Sequence, residues 1–251
     1  MQRIALVIGG ASGIGAASAI ALAQVDMCVA IADIDSSAAA TTVERMPGAG
    51  HQAMSVDASD ETQMVSLFSQ VEAEMGQPSV LIFAAGTAGY VNGIRPNLRT
   101  TSVNNWDSVL ALNLRGAFLA VREMLRRIAA RPIEHGRIVL IGSMAAQMLA
   151  RNSPPAYIAS KGGLMAMARV AASEAAALGA TVNLVSPGAI DTPMLRAVMQ
   201  KEQDADYFDG TIAGRAGSPD EVAAAIAFLA SIPASYINGA CIDVNGGMLM
   251  R

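Results

Sequence analysis

The chain has 251 residues, 53% hydrophobic and 15% charged, enough apolar material for the core of one large α/β domain or two small ones. A formal net charge of −4 without any Lys/Arg cluster argues against nucleic acid or an anionic membrane surface and leaves a small molecule as the expected partner. Cys28 and Cys241 lie in apolar strand-like runs and His51 and His135 have no ligating neighbours, so buried thiols in a reducing cytoplasm are expected rather than disulfides or a metal.

The first 23 residues, MQRIALVIGGASGIGAASAIALA, combine an early Arg, an apolar run and an Ala-x-Ala, as a secretory signal does. The Gly-Gly-Ala-Ser-Gly interruption spoils the continuous apolar stretch a signal needs, and IALVI (4–8) reads as a first strand instead. Further runs follow: CVAIA (28–32), a weaker QAMSV (52–56), SVLIF (79–83), RIVLIG (137–142), TVNLVS (181–186) and ACIDV (240–244). Ala-rich helical segments separate them. Continuous apolar runs alternating with helices predict an α/β protein, a doubly wound, seven-stranded parallel sheet with helices on both faces, in one domain over 1–251. No run of about twenty apolar residues is present, so no membrane span is expected. Residues 87–103 and 189–217 break the alternation. Each follows the C-terminal end of a strand, where open α/β sheets bind ligands, and both are expected to be substrate loops.

Between the first strand and the first helix stands GGASGIG, with Gly9, Gly13 and Gly15. Glycines there permit a tight turn and let backbone N–H groups reach a pyrophosphate at the helix N-terminus, where the dipole favours anions. The second strand ends in Asp33, about twenty residues beyond the turn, where a carboxylate can accept both adenosine ribose hydroxyls and repel the extra phosphate of NADP. NAD is the expected cofactor, because Ser12 and Ile34 stand where an NADP site needs a cation. Asp33 could alternatively open the following helix, a role open also to Asp35 or Ser36.

In SPPAYIASKGG (153–163), Tyr157 precedes Lys161 by one helical turn, which places phenol and ammonium on one face. Ser143, in IGSMA, does not form G-x-S-x-G and no His follows it, so a serine hydrolase is excluded.

With the glycine turn, Asp33 and the Tyr157/Lys161 pair, the chain resembles the short-chain dehydrogenase/reductase family along its whole length. The resemblance implies a Rossmann fold and an NAD-dependent enzyme interconverting a secondary alcohol and a ketone. It assigns Asn113, Ser143, Tyr157 and Lys161 to catalysis. To the cofactor it assigns Gly9, Ser12, Gly13, Ile14, Gly15, Asp33, Ile34, Asp57, Ala58, Ala84, Ala85, Gly86, Pro187, Gly188, Ile190 and Thr192, with Tyr157 and Lys161 shared. Homotetramers built on helices near 104–131 and 155–178 are a further implication. The chain departs from the family at Ile8, where Thr usually ties the turn to a neighbouring strand, and at Phe83 and Ala84, where two asparagines are usual. The interval from Ser143 to Tyr157, fourteen positions, is one longer than common, so 144–156 is a third substrate loop.

Tyr157 is the expected proton carrier, its phenol brought down about three units from a pKa near 10 by Lys161 and by the oxidised nicotinamide. Lys161 would also hold the nicotinamide ribose, and Ser143 would position the reacting oxygen. Asn113 would sit in a locally opened helix on a water path, though an Asn in a helix can simply bond backbone. Met144, Met148, Leu149, Met194, Leu195, Met199 and Phe208 are expected to wall an apolar, medium-sized pocket. Arg95, Arg99, Arg151 and Arg196 lie in the variable segments and either pair with a substrate anion or are surface charges. A 3-oxoacyl-thioester reductase and a non-catalytic NAD sensor are the competing functions, the sensor having no need of Ser143, Tyr157 and Lys161 together.

Overall fold

A computed structural model describes residues 2–148, 150–199, 201–203, 208 and 212–250. Its strands are β1 (Ile4–Ile8), β2 (Cys28–Asp33), β3 (Gln52–Ser55), β4 (Val80–Phe83), β5 (Gly136–Ile141), β6 (Ala180–Pro187) and β7 (Cys241–Val244). Each coincides with an apolar run of the sequence to within one residue at either end. They form a single seven-stranded sheet in the order β3-β2-β1-β4-β5-β6-β7, every pair parallel. Leu6 sits opposite Ala30 on one side and Leu81 on the other, a register that puts fully buried residues across the sheet centre.

The helices are α1 (Gly13–Gln24), α2 (Ser36–Glu44), α3 (Glu61–Glu74), α4 (Val103–Leu110), α5 (Ala117–Ala130), α6 (Pro155–Ala176), the single turn α7 (Pro193–Arg196) and α8 (Pro219–Ala230). Successive strand side chains point to opposite faces, so β1 feeds two cores at once. Leu6 and Ile8 pack with Phe68 of α3, Met124 of α5 and Leu164 of α6. Ala5 and Val7 pack on the other face with Leu22 of α1, Ala39 of α2 and Ile226 of α8. Each large apolar side chain so buried contributes roughly 1.5–3 kcal/mol, which is why both layers adhere.

Caps fix where the helices begin. Asp35 accepts from the Ala38 N–H to start α2 and Asp60 from Gln63 N–H to start α3. Ser218 and Glu221 form a reciprocal capping box on α8, with Pro219 at its first position. Because Asp35 takes the α2 cap, Asp33 is left for another use. Between α4 and α5 the chain widens into a π-helical turn, Ala111–Gly116, which carries Asn113. The strand order reverses between β1 and β4, opening a crevice at their C-terminal ends.

Candidate active site

The turn after β1 is built on glycine for steric reasons. Gly9 has φ +83°, and a Cβ there would stand 2.3 Å from the Ala85 nitrogen. A Cβ on Gly15 would lie 1.9 Å from the Gly9 carbonyl oxygen, so α1 could not start where it does. Although Ile8 lacks a hydroxyl, the turn is tied down by backbone: the Ile8 carbonyl accepts from Ala84 N–H (2.8 Å) and Ala85 N–H (3.0 Å), and Gly9 N–H donates to Ala32 (2.8 Å). Ser12 is the N-cap of α1 but makes no capping hydrogen bond with its side chain. The first N–H groups of α1 therefore face the crevice without a side-chain acceptor, as an anion-binding turn requires.

Asp33, at the end of β2, accepts from Ala11 N–H (3.0 Å) through Oδ2 and from Asp35 N–H (3.1 Å) through Oδ1. These bonds fix the carboxylate beside the turn and leave lone pairs for further donors. Ile34 next to it is 74% exposed. Asp57 accepts from the Ser59 N–H (2.8 Å) and hydroxyl (2.7 Å). Thr192 caps α7, accepting from Leu195 N–H.

These groups border one cleft of about 1070 Å³. The structure brings every sequence-predicted cofactor residue to its walls, with Ser143, Tyr157 and Lys161. Asn113 alone stands behind the wall, fully buried. Its Oδ1 accepts from Thr87 N–H (2.8 Å), and its Nδ2 donates to the Thr87 carbonyl (2.9 Å) and to Ser160 Oγ (3.0 Å). Ser160 in turn donates to the Tyr157 carbonyl (2.8 Å). Asn113 thus bonds backbone and side chain together, joining the loop after β4, the π turn and the N-terminal part of α6. Thr87 and Ser160 escaped the sequence reading. The signal for Ser160 was its place three residues after Tyr157, on the same helical face.

Tyr157 lies half-buried on α6, and Lys161, 5% exposed, carries its Nζ to 5.8 Å from the Tyr157 ring centre. Lys161 Nζ donates to the Ile141 carbonyl at 2.7 Å, and burial lowers its pKa to about 8. Burial pushes the Tyr157 pKa up, a hydrogen bond with Ser143 pulls it down, and Tyr90 pushes it up. Desolvation of the phenolate outweighs what the Ser143 hydrogen bond offers. Ser143 Oγ also accepts from Ala145 N–H (3.2 Å).

The walls beyond Ser143 are mostly apolar, formed by Met144, Met148, Met194 and Leu195, with Val198 and Met248 in addition to the expected set. Met199 and Phe208 do not line the cleft; they are 7% and 1% exposed. Leu149 lies outside the described residues. All three expected substrate loops contribute lining: Tyr90 from 87–103, Met148 from 144–156 and Leu195 from 189–217. Among the described residues there is no group of three His, Cys, Asp or Glu placed to hold a metal, and no helix long and apolar enough to cross a membrane.

A family model described as enoyl-(acyl carrier protein) reductase matches residues 9–249. The chain is 34% identical over 249 residues to 3-oxoacyl-(acyl-carrier-protein) reductase FabG of Escherichia coli (strain K12), covering 99% of this chain and 98% of that protein. It is 36% identical over 255 residues to cis-4-hydroxycyclohexanecarboxylate dehydrogenase of Sinomonas cyclohexanicum, covering 98% of this chain and 96% of that one. The crystal structure of levodione reductase matches with a TM-score of 0.87 and 27% identity over 98% of this chain and 96% of that one. The chain belongs to the short-chain dehydrogenase/reductase family. It is an oxidoreductase of alcohol, ketone or 3-oxoacyl substrates, on a fold that binds a nicotinamide cofactor.

Proposed function

We propose that the protein is an NAD-dependent dehydrogenase that interconverts a secondary alcohol and a ketone of medium size and largely apolar character. The observation that carries this reading is the meeting of Ser143, Tyr157 and Lys161 with the glycine turn and Asp33 on one cleft. The side-chain-free start of α1 fits a pyrophosphate, and Asp33, fixed by two backbone N–H groups, fits an unphosphorylated adenosine ribose. A bound nicotinamide supplies the acceptor or donor of hydride.

The chain's own residues handle the oxygen. Ser143 orients the substrate hydroxyl or carbonyl against Tyr157, and the Tyr157 phenol takes or gives the proton. With the phenol held above its ordinary pKa in the protein alone, its ionisation needs added positive charge, which an oxidised nicotinamide brings. Lys161 would be the second cation and would hold the nicotinamide ribose. Asn113 keeps α6 seated on the loop after β4, so that Tyr157 and Lys161 keep their spacing.

The similarity to FabG favours one second reading, reduction of a 3-oxoacyl thioester on the same residues. A panel of secondary alcohols, hydroxy acids and hydroxyacyl thioesters, assayed for formation of reduced nicotinamide from NAD and from NADP, separates the two. The homotetramer expected from the family is proposed on the same footing, as is a cytoplasmic location. Val103 (73% exposed), Phe118 (45%) and Val170 (60%) leave apolar surface on α4, α5 and α6 for a second copy to cover. Light scattering showing a monomer at working concentration contradicts that assembly.

A further inference from the structure

Four arginines of the variable segments flank this cleft in the sequence, and the structure separates them. Arg196 donates through Nε to Asp191 Oδ1 at 2.7 Å. Arg95 donates through Nε to the Ser153 carbonyl at 3.0 Å and does not reach the cleft wall, nor does Arg99. Arg151 lines the cleft, is exposed, and forms no hydrogen bond or ion pair with another described residue. Among the described residues Lys161 is the other cation on the wall, and it is buried and bonded to Ile141. The acids of the wall, Asp33 and Asp57, belong to the nucleotide end. Beyond Ser143 the pocket therefore presents an apolar body and one uncommitted guanidinium.

The segment that carries Arg151 is also held from several directions. The Tyr90 hydroxyl donates to the Asn152 carbonyl, and Arg95 holds the Ser153 carbonyl beside it. Upstream, the Gln147 amide donates to Ser186 Oγ and to Asp243 Oδ1 (3.2 Å), anchoring the segment to β6 and β7. The backbone on either side of Arg151 is thus tied down while its side chain stays exposed at an apolar pocket, and a planar oxyacid matches its fork of N–H donors.

We propose, on the reading of the cleft as a dehydrogenase site, that Arg151 selects substrates bearing an oxyacid anion remote from the reacting carbon. The anion is a carboxylate on the substrate itself or the phosphate of an acyl carrier. The apolar chain between anion and carbinol lies along Met148 and Leu195, and the reacting oxygen meets Ser143 and Tyr157.

The test is calorimetric titration of the NAD-loaded protein, which has no hydride to give a ketone, with a straight-chain keto acid, its methyl ester, and a β-keto thioester of phosphopantetheine. Arg151→Gln should weaken binding of the charged ligand about tenfold or more, while the ester binds wild type and variant alike. Added salt should weaken the acid in wild type and leave the variant unmoved. A loss confined to the keto acid identifies a carboxylate substrate; a loss confined to the thioester identifies the carrier phosphate. Equal affinity of wild type and Arg151→Gln for both charged ligands overturns the assignment. Turnover of the methyl ester with NADH, its ketone accepting the hydride and the carbinol oxygen a proton, tests the dehydrogenase reading separately. An Arg151-dependent affinity in a protein that turns over none of the three would leave the anion site standing and sink that reading.

Discussion

Lys161 Nζ donates to the carbonyl of Ile141, the last residue of β5, at 2.7 Å, two residues before Ser143. One carbonyl is a thin substitute for water around an ammonium, which is why burial brings the Lys161 pKa down to about 8. A base whose pKa is lower folded than unfolded binds fewer protons in the native state. Stability therefore rises with pH between the folded value and the unfolded value near 10.4, and the penalty is fully present below the folded one.

Replacing Lys161 by Met removes that penalty, which amounts to about 3 kcal/mol at neutral pH, and strands the Ile141 carbonyl, which returns about 1 kcal/mol of it. Lys161→Met should thus be inactive yet more stable at pH 7 in urea unfolding. Its advantage should shrink by roughly 1 kcal/mol between about pH 7 and pH 9 as the wild-type lysine loses its proton in the folded state. An advantage that stays constant across that range would show that Lys161 does not titrate there.

Asp33 is held by Ala11 and Asp35 N–H groups with Ile34 exposed beside it, and the cations that line the cleft among the described residues, Arg151 and Lys161, come from the segment after Ser143 and from α6. Asp33→Ser should lower the ratio of kcat/KM for NAD to that for NADP by about a hundredfold, since both the ribose acceptor and the repulsion of a phosphate are lost. Initial rates with the two cofactors measure it. An unchanged ratio would move cofactor choice away from Asp33.

Arg137 opens a stability prediction of a different kind. It is 2% exposed on β5 and donates to the carbonyls of Gly136, Ser231 and Ile232, just beyond the end of α8. Arg3 donates to Ala230 and His135 alongside it, and burial lowers the pKa of both guanidiniums, Arg3 further by the charge of Arg137. The two cations satisfy carbonyls that the end of α8 leaves free. Arg137→Ala should destabilise the fold by about 3 kcal/mol in urea unfolding, leaving the pH dependence of activity unchanged, because it orphans buried carbonyls far from the cleft. A loss under about 0.5 kcal/mol, the range of ordinary surface substitutions, would mean that water replaces the guanidinium there.

Parallel strands covered on both faces are written as unbroken apolar runs, and for that reason β1 through β7 were legible in the sequence almost to the residue. The glycine turn was equally plain, because only glycine tolerates the contacts at Gly9 and Gly15. Groups that meet across long sequence intervals were hidden. Nothing near Tyr90 announces its bond to Asn152, and nothing near Thr87 announces that its backbone will pair with the Asn113 amide. Met199 and Phe208 look like pocket residues in sequence and are buried away from the cleft instead, because apolar periodicity alone does not tell a pocket wall from packing. Arg137 reads as an ordinary charge interrupting a strand, since the helix end it serves lies about ninety residues later.

The most direct measurement follows formation of reduced nicotinamide by absorbance when wild type and Tyr157→Phe meet NAD and a panel of secondary alcohols, with NADH binding to each protein measured alongside. The account predicts NAD-dependent turnover of at least one alcohol class by wild type, and a loss of about a thousandfold or more in Tyr157→Phe with NADH binding retained. Undiminished turnover by Tyr157→Phe would contradict it.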